Sequence, residues 1–487
     1  MKFSYSKCQN RYDSRLARKV VTVAPMPPEK SAYALARYSR SADSIRQSVE
    51  WVRTHNSQQF LESYYFQYGH QSIADLGHTI VCFEGISELA ASEVEDEVLW
   101  DGQAKSSRYQ DFSKAGFITP PDLTGTDSER YDAAARQLLS AYSDVHQRVN
   151  AHLTQKLPRP ESMKPDAYAR NIAARAFDVA RYLLFWGVPT NVGQVTSIRT
   201  LEKQIKRLRV SEFAEVRALA EDIAQACAEP PECLWNPDNA EPLAPTLARH
   251  AEPDEYLRQS TEDLRGWALQ NLTCPQSKSP RVELTRPVDV MTEIAATLLY
   301  PVTDYAFRSL YETVSGWSAA RRAEVLDVAI KSRGERDDLL RGFRGGQYCF
   351  DMLIDVGAYR DMHRHRRCHQ YRQAYSGLHG YDVPALLSEA GAEQPYRDAM
   401  DAALIARNAL PDPARQYLLP FGAKSRFLFK MDFAEVEYIS RVRSSVKGHF
   451  SYREIAWEMK ERLAEIEPEL ASLIKATPPW IEDPLKR

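Results

Sequence analysis

No Cys-x-x-Cys pair occurs in this chain, so neither a zinc ribbon nor a paired-cysteine framework is indicated. The seven cysteines are scattered and odd in number (Cys8, Cys82, Cys227, Cys233, Cys274, Cys349, Cys368), which fits a reducing, cytoplasmic location. No His-Glu-x-x-His motif is present, and no metal site is expected. No apolar run approaches the roughly 20 residues that span a bilayer. The opening MKFSYSKCQNRYDSR lacks an apolar signal-peptide core, so a soluble protein is expected. Charge of one sign is missing as well. Lys plus Arg number 63 and Asp plus Glu 66, a net charge of −3, which argues against a general nucleic-acid coat.

What is present is an ordinary globular composition over 487 residues, 44% hydrophobic and 26% charged, enough for two to four domains. A short strand is expected at Lys19 to Val23, then one helix through SAYALARYSRSADSIRQSVEWVRTH. Thr79 to Phe83 reads as β-rich, and the acidic stretch Ser87 to Trp100 as helical. Asp101-Gly102 reads as a turn, followed by a loop to Pro120-Pro121. Leu138, Tyr142, Val145, Val149 and Leu153 recur at helical spacing within a helix from Asp127 to Gln155. Further helices are expected over Pro165–Leu184 and Ile198–Ala228. A proline-rich stretch beginning at Glu229 reads as an inter-domain connection.

The second half repeats the plan. A strand at Arg281 to Leu284 precedes the helix VMTEIAATLLY, and another helix covers Arg321 to Lys331. Tyr348, Phe350, Met352, Ile354 and Val356 alternate with polar neighbours, the period of a half-buried strand. Helices follow near Pro384–Arg407, Ala434–Val442 and Tyr452–Ile466. Local wording recurs between halves. Ala180-Arg181-Tyr182-Leu183-Leu184 returns as Ala414-Arg415-Gln416-Tyr417-Leu418-Leu419, and Cys82-Phe83-Glu84 as Cys349-Phe350-Asp351. A tandem duplication of two similar α/β (α+β) domains follows, at 1–240 and 275–487, with residues 229–274 linking them.

The most unusual stretch is Arg360 to Gly377, RDMHRHRRCHQYRQAYSG. Eight of the thirteen residues from Arg360 to Arg372 are Arg or His. Arg364, His365 and Arg366 can hold a phosphate or pyrophosphate, because guanidinium forks match phosphate oxygens. The residues alone leave a solvated face or a nucleic-acid patch equally open. In the first half, Ser106-Ser107-Arg108-Tyr109 combines a hydroxyl and an arginine in a loop. It suits a phosphate, or a plain pairing of Arg108 with nearby acids such as Asp111. His70, His78, Arg199, Arg443 and His449 are ambiguous by themselves.

Arg364-His365-Arg366, following a strand, resembles the Arg-His-Arg signature of the flavin-dependent thymidylate synthases. That signature continues with Ser, Asn, Ser and Arg where this chain has His369, Tyr371, Ala374 and Ser376. The first half is complementary. Ser106-Ser107-Arg108-Tyr109 matches the Ser-x-Arg-Tyr tail, while Asp96-Glu97-Val98 stands where the head belongs. Gly69-His70-Gln71-Ser72 resembles the family's Gly-His-x-Ser, and Arg37-Tyr38-Ser39 its Arg-x-Ser. Ala180-Arg181 and Ala414-Arg415 resemble its Ala-Arg step, Arg199 the first helix arginine, and Val442-Arg443 the Leu-Arg, with Asp432 and Ala434 replacing Asn and Arg.

The resemblance implies a fold of two similar domains, each a small, mainly antiparallel sheet packed with long helices. It implies that FAD is held by Arg364, His365, Arg366, His70, Ser39 and His449, and that dUMP or a related pyrimidine nucleotide is held by Ser106, Ser107, Arg108, Arg181 and Arg199. Arg443 and Arg108 are the implied catalytic residues. NADPH would reduce the flavin and methylenetetrahydrofolate would give its one-carbon unit to dUMP. A homodimer would reproduce the family's tetramer with half the usual number of sites. A paralogue that binds without turnover, a flavin-dependent methyltransferase on another pyrimidine nucleotide, and a nucleic-acid-binding protein are the alternatives.

Overall fold

The computed structural model describes residues 26–39, 41, 44–63, 71–229, 289–302, 306–330, 342 and 348–486. The expected strands at Lys19–Val23 and Arg281–Leu284, the linker beyond Glu229, and His70 lie outside them. Contacts divide the chain into two compact units, one comprising 1–61 with 230–285 and the other 62–229 with 286–487.

In the first unit, α1 (Pro28–Tyr38), α2 (Ile45–Thr54) and α3 (Ser57–Leu61) replace the single helix expected there. Ser44 explains the break. Its hydroxyl caps α2 by accepting from Gln47 N, while the Gln47 side chain returns to Ser44 N, a reciprocal capping box. Ser39 ends α1, its hydroxyl donating to the Ala36 carbonyl at 2.8 Å.

The second unit holds both sheets. Its first half runs β1 (His78–Ser87), α4 (Glu88–Glu95), β2 (Trp100–Ala104), α5 (Gly125–Lys156), α6 (Pro165–Ala180), β3 (Pro189–Ser197), α7 (Ile198–Arg209) and α8 (Ala214–Ala228). Its second half opens with α9 (Val290–Leu299), α10 (Phe307–Ser315) and α11 (Ala319–Ile330), then β4 (Tyr348–Asp355), α12 (Val356–Met362) and β5 (His369–Arg372). It continues with α13 (Ala385–Glu389), α14 (Glu393–Asn408), β6 (Lys424–Met431), α15 (Phe433–Arg443), α16 (Phe450–Ile466) and α17 (Pro468–Ser472). Each sheet is antiparallel and three-stranded, in the orders β1-β3-β2 and β4-β6-β5.

The halves repeat at the level of single hydrogen bonds. The last residue of the first strand caps the next helix in both: Ser87 Oγ accepts from Ala90 N, and Asp355 Oδ1 from Ala358 N. The last helix of each half then reaches that cap. Ser87 Oγ donates to Glu215 at 2.6 Å on α8, and Ser451 on α16 donates to Asp355. Ser197 caps α7 and Asp432 caps α15 in the same way. Between the halves the backbone exchanges reciprocal bonds about the Phe185–Pro420 bridge. Gly187 N donates to Tyr417 O and Gly422 N to Tyr182 O, each at 2.9 Å. A local two-fold relation results, in which Tyr182 corresponds to Tyr417 and Trp186 to Phe421.

This pairing corrects two readings. Arg181 corresponds to Gln416, not Arg415, which instead faces Asp412. Cys82 pairs with Gly193 whereas Cys349 pairs with Lys430, so the repeated Cys-Phe wording does not superpose. A bulge between Phe83 and Ile86 adds a residue to β1 and accounts for part of the shift.

The Asp101-Gly102 turn is not formed. Both residues lie in edge strand β2, opposite Val195 and Gln194. The expected helix over Ile198–Ala228 is broken between Arg209 and Ala214, where Phe213 turns inward to 1% exposure and meets Tyr417 edge-on at 5.7 Å. One continuous core joins both halves of this unit. Tyr131, Leu138, Tyr142, Val145 and Val149 of α5 are fully buried in it, at the spacing the sequence shows. A second cluster packs Ala295, Ala296, Tyr300, Phe307 and Leu310 over Tyr371 and Leu428.

Candidate active site between the two halves

Strand register fixes how the motif halves correspond. Asp101 and His369 occupy equivalent positions, opposite Val195 and Lys430. The spacing from Ser87 to Asp101 equals that from Asp355 to His369, without insertion. Asp96-Glu97-Val98 therefore stands where the other half has Arg364-His365-Arg366. Ala374-Tyr375-Ser376 likewise stands where the first half has Ser106-Ser107-Arg108.

Short helix α12 and its following turn project the basic run toward the first half. Arg360 Nη1 donates to Ser107 Oγ at 3.1 Å, and its Nη2 to Glu88 Oε2 at 2.6 Å. Its guanidinium also lies 4.6 Å over the Phe421 ring. Burial pushes the Glu88 carboxyl up, while Arg360 draws it back. Arg366 Nη2 donates to Asp101 Oδ1 at 2.6 Å, and Arg364 Nη1 reaches Gln103 Oε1 at 3.4 Å. The Arg-His-Arg turn of one half thus rests against the strand that leads into the Ser-x-Arg segment of the other.

Asp361 sits among the arginines. Arg181 Nη1 donates to its Oδ2 at 2.9 Å. Burial raises the Asp361 pKa, but Arg181, Arg108, Arg443 and Arg364 outweigh it and hold the carboxyl at about 2. Arg181 is 1% exposed, and its Nε and Nη2 have no hydrogen-bond partner among the described residues. Gly357 makes room for it: a Cβ there would stand 3.1 Å from Asp355 Oδ1 and 3.4 Å from Arg181 Nη2. Buried guanidinium donors without acceptors suit an anion.

The remaining expected residues are placed as follows. Arg108 is buried, and four of its five N–H groups are committed. Nε and Nη2 clamp Asp178 at 2.7 and 3.2 Å, Nη1 meets Tyr452 Oη at 2.8 Å, and Nη2 meets Lys447 O at 3.1 Å. Ser106 Oγ accepts from Arg108 N at 3.3 Å. His449 is fully buried; it caps α16 and donates from Nε2 to Asp178 O at 2.8 Å. Arg199 pairs with Asp75 at 2.8 Å. Arg443 Nε donates to His365 Nε2 at 2.7 Å.

The sequence profile described as "Thymidylate synthase complementing protein" matches residues 20–230 and 317–469, spanning α1 to α8 and α11 to α16. The chain belongs to the thymidylate synthase complementing protein family. Three curated relatives extend along most of it. A UPF0159 protein of Chlamydia pneumoniae is 26% identical over 95% of this chain and 92% of its own length. One of Chlamydia muridarum is 27% identical over 84% and 79%, and one of Thermoplasma acidophilum is 24% identical over 91% and 94%. Those names state no activity. Family membership ties the chain to thymidylate-synthase-related function.

Within this family chain the two equivalent places are unlike. At the one just described, Arg108, Arg181, Arg364 and Arg443 surround Asp361. At its counterpart those positions are Ser376, Gln416, Asp96 and Leu208. Tyr375, 1% exposed, fills the counterpart against Trp186 at 4.7 Å. Arg372 pairs there with Glu93 and lies 4.9 Å over the Tyr375 ring. Asp361, Asp178, Tyr452 and Glu435 were not foreseen. Asp361 carried a signal, being the one acid inside the basic run. So did Asp178, the lone acid in the mostly apolar AFDVARYLL, three residues before Arg181. No helix among the described residues is long and apolar enough to cross a membrane.

Proposed function

We propose that this chain is a flavin-dependent thymidylate synthase that builds one site per chain from both of its halves. The reading rests on a single observation: the helix that leads into the Arg-His-Arg turn meets the Ser-x-Arg segment of the opposite half through the Arg360–Ser107 hydrogen bond.

The donor set fits an anionic cofactor. Arg364 is exposed and Arg366 half-buried against an aspartate that is itself 87% exposed, so both can turn toward phosphate oxygens. FAD would be held by these two arginines, and when reduced by NADPH it would supply the hydride. Arg181 would offer its two unpartnered donors to the nucleotide phosphate, with Ser106 and Ser107 at the same end. Arg443 would face the pyrimidine and stabilise negative charge developing on it. Arg108 would act through position, fixing Asp178 and Tyr452 beneath the site. Methylenetetrahydrofolate would be the one-carbon donor and dUMP the acceptor. We read the halves as duplicated domains within 1–240 and 275–487, and a homodimer as the form that reproduces a four-domain assembly.

Commitment of four Arg108 donors favours a second reading, a paralogue that binds flavin and nucleotide without turnover. The purified protein should be yellow, and its reduced flavin should be oxidised only when dUMP and methylenetetrahydrofolate are both present. Flavin without turnover selects the second reading; a colourless protein that takes up no added FAD sinks both. Arg366→Ala should lower flavin content.

A further inference from the structure

We infer that His365 is a positioning residue, a relay that holds Arg443 in place from Glu435, and not a direct ligand contact. This rests on the reading of the site given above.

His365 is 6% exposed, and both ring nitrogens are engaged from α15. Nε2 lies 2.7 Å from Arg443 Nε, and guanidinium can only donate, so Nε2 carries no proton. The ring proton then belongs on Nδ1, which faces Glu435 Oε1 at 3.4 Å. Glu435 and Arg443 stand about two turns apart on one helix, and the imidazole bridges them. The backbone that carries the ring is held as well: Gln370 Nε2 and Cys368 Sγ both donate to the His365 carbonyl, at 2.7 and 3.0 Å.

Past Arg443 the line continues into the other half. Its guanidinium lies 5.5 Å over the Tyr452 ring, and Tyr452 Oη accepts from Arg108 Nη1 at 2.8 Å. Glu435, His365, Arg443, Tyr452, Arg108 and Asp178 thus form one connected series. At the counterpart place all three relay members are replaced together. Glu97 stands for His365, Thr200 for Glu435 and Leu208 for Arg443, and Glu97 pairs with Arg207 at 2.9 Å. A histidine needed only for local packing has no reason to be lost with both of its partners.

The relay requires a neutral imidazole. Protonation would place an N–H on Nε2 against a guanidinium, leaving two cations in contact. The groups facing the ring are Glu435, Tyr438 and Arg443 from α15, and Arg366 and Cys368 from its own turn. Burial lowers the imidazole pKa, Glu435 opposes this, and Arg443 and Arg366 add to it. The neutral form is therefore present at pH 7 and lost as the pH falls below the usual histidine range.

The test titrates dUMP into the full-length protein by calorimetry from pH 5.5 to 8, with flavin content read by absorbance. His365→Leu removes the acceptor and should weaken dUMP binding about tenfold or more while keeping the flavin. His365→Gln restores an acceptor for Arg443; it should recover most of the affinity and remove the wild-type loss of affinity at acid pH that it shares the assay with. Wild-type affinity and pH profile in His365→Leu would overturn the relay, and so would flavin loss in both variants. Nitrogen-15 NMR of labelled histidine, with His365→Gln for assignment, reads the tautomer without nucleotide. A proton on Nε2 at pH 7 overturns the relay even if wild-type protein binds no dUMP, a result that by itself overturns the nucleotide reading.

Discussion

At the residue scale, two acids that both face Arg181, one buried and one half-buried, behave oppositely. Asp361 is held ionised by four arginines, at about 2, whereas burial around Asp355 outweighs its Ser451, Arg181 and Ala358 partners and lifts it to about 6. The signs differ accordingly. Asp361 contributes stability above the unfolded carboxylate range, and that contribution is lost as the pH falls toward 2. Asp355 binds a proton more tightly when folded, so stability declines as the pH rises from about 4 to about 6. Replacing Asp355 with Asn keeps a capping oxygen and removes the charge. The variant should lose the decline, about 2 kcal/mol across that window, in urea melts at a series of pH values. Removing the buried Arg181 leaves the half-buried Asp361 beside fewer cations. Arg181→Ala should cost about 3–5 kcal/mol, seen as a lower denaturation midpoint, and should abolish any stabilisation of the protein by added dUMP.

At the element scale, the strand-to-helix joint is the repeated unit. Each half ends its first strand on a side chain that caps a short helix and is itself gripped by the last helix. That joint sets the direction in which α12 delivers Arg360 and the Arg-His-Arg turn. Ser87→Ala removes the cap on α4 and one of the two hydrogen bonds that Ser87 gives the Glu215 carboxylate, leaving the one from its backbone N–H. A loss of about 1–2 kcal/mol is expected in chemical denaturation; an unchanged midpoint would show that the joint is not a stabilising contact. The strands themselves were unequally legible. β4 alternates visibly, and Met352 and Ile354 are buried while Leu353 is exposed. The central strand β3 hides its inward positions behind polar residues: Thr190, Gln194 and Thr196 are all buried beside Val192. Nothing local marks them as interior, because their partners come from β1 and β2, far away in sequence.

At the scale of the whole molecule, duplication followed by divergence leaves two equivalent places with different contents. One gathers Arg108, Arg181, Arg364 and Arg443. The other is occupied by Tyr375, Arg372 and Glu93. One dUMP per chain is expected by equilibrium dialysis, and two per chain would show that the tyrosine-filled place still opens. The same divergence matches the split signature: the basic run of one half contacts Ser107, Asp101 and Gln103 of the other half.

The sequence by itself determined the local matters. The apolar period of α5, the alternation of β4, the concentration of cations after Arg360 and the complementary loss of motif head and tail are all properties of neighbours along the chain. Only the tertiary structure decided which residues share a place. It matched Arg181 to Gln416, put Asp101-Gly102 in an edge strand, enclosed His449 as a helix cap, and turned His365 toward Arg443. Each of these depends on a partner far away in sequence. Burial, ion pairing and hydrogen bonding are set by distance in space, and the order of residues does not record that distance until the sheets have paired.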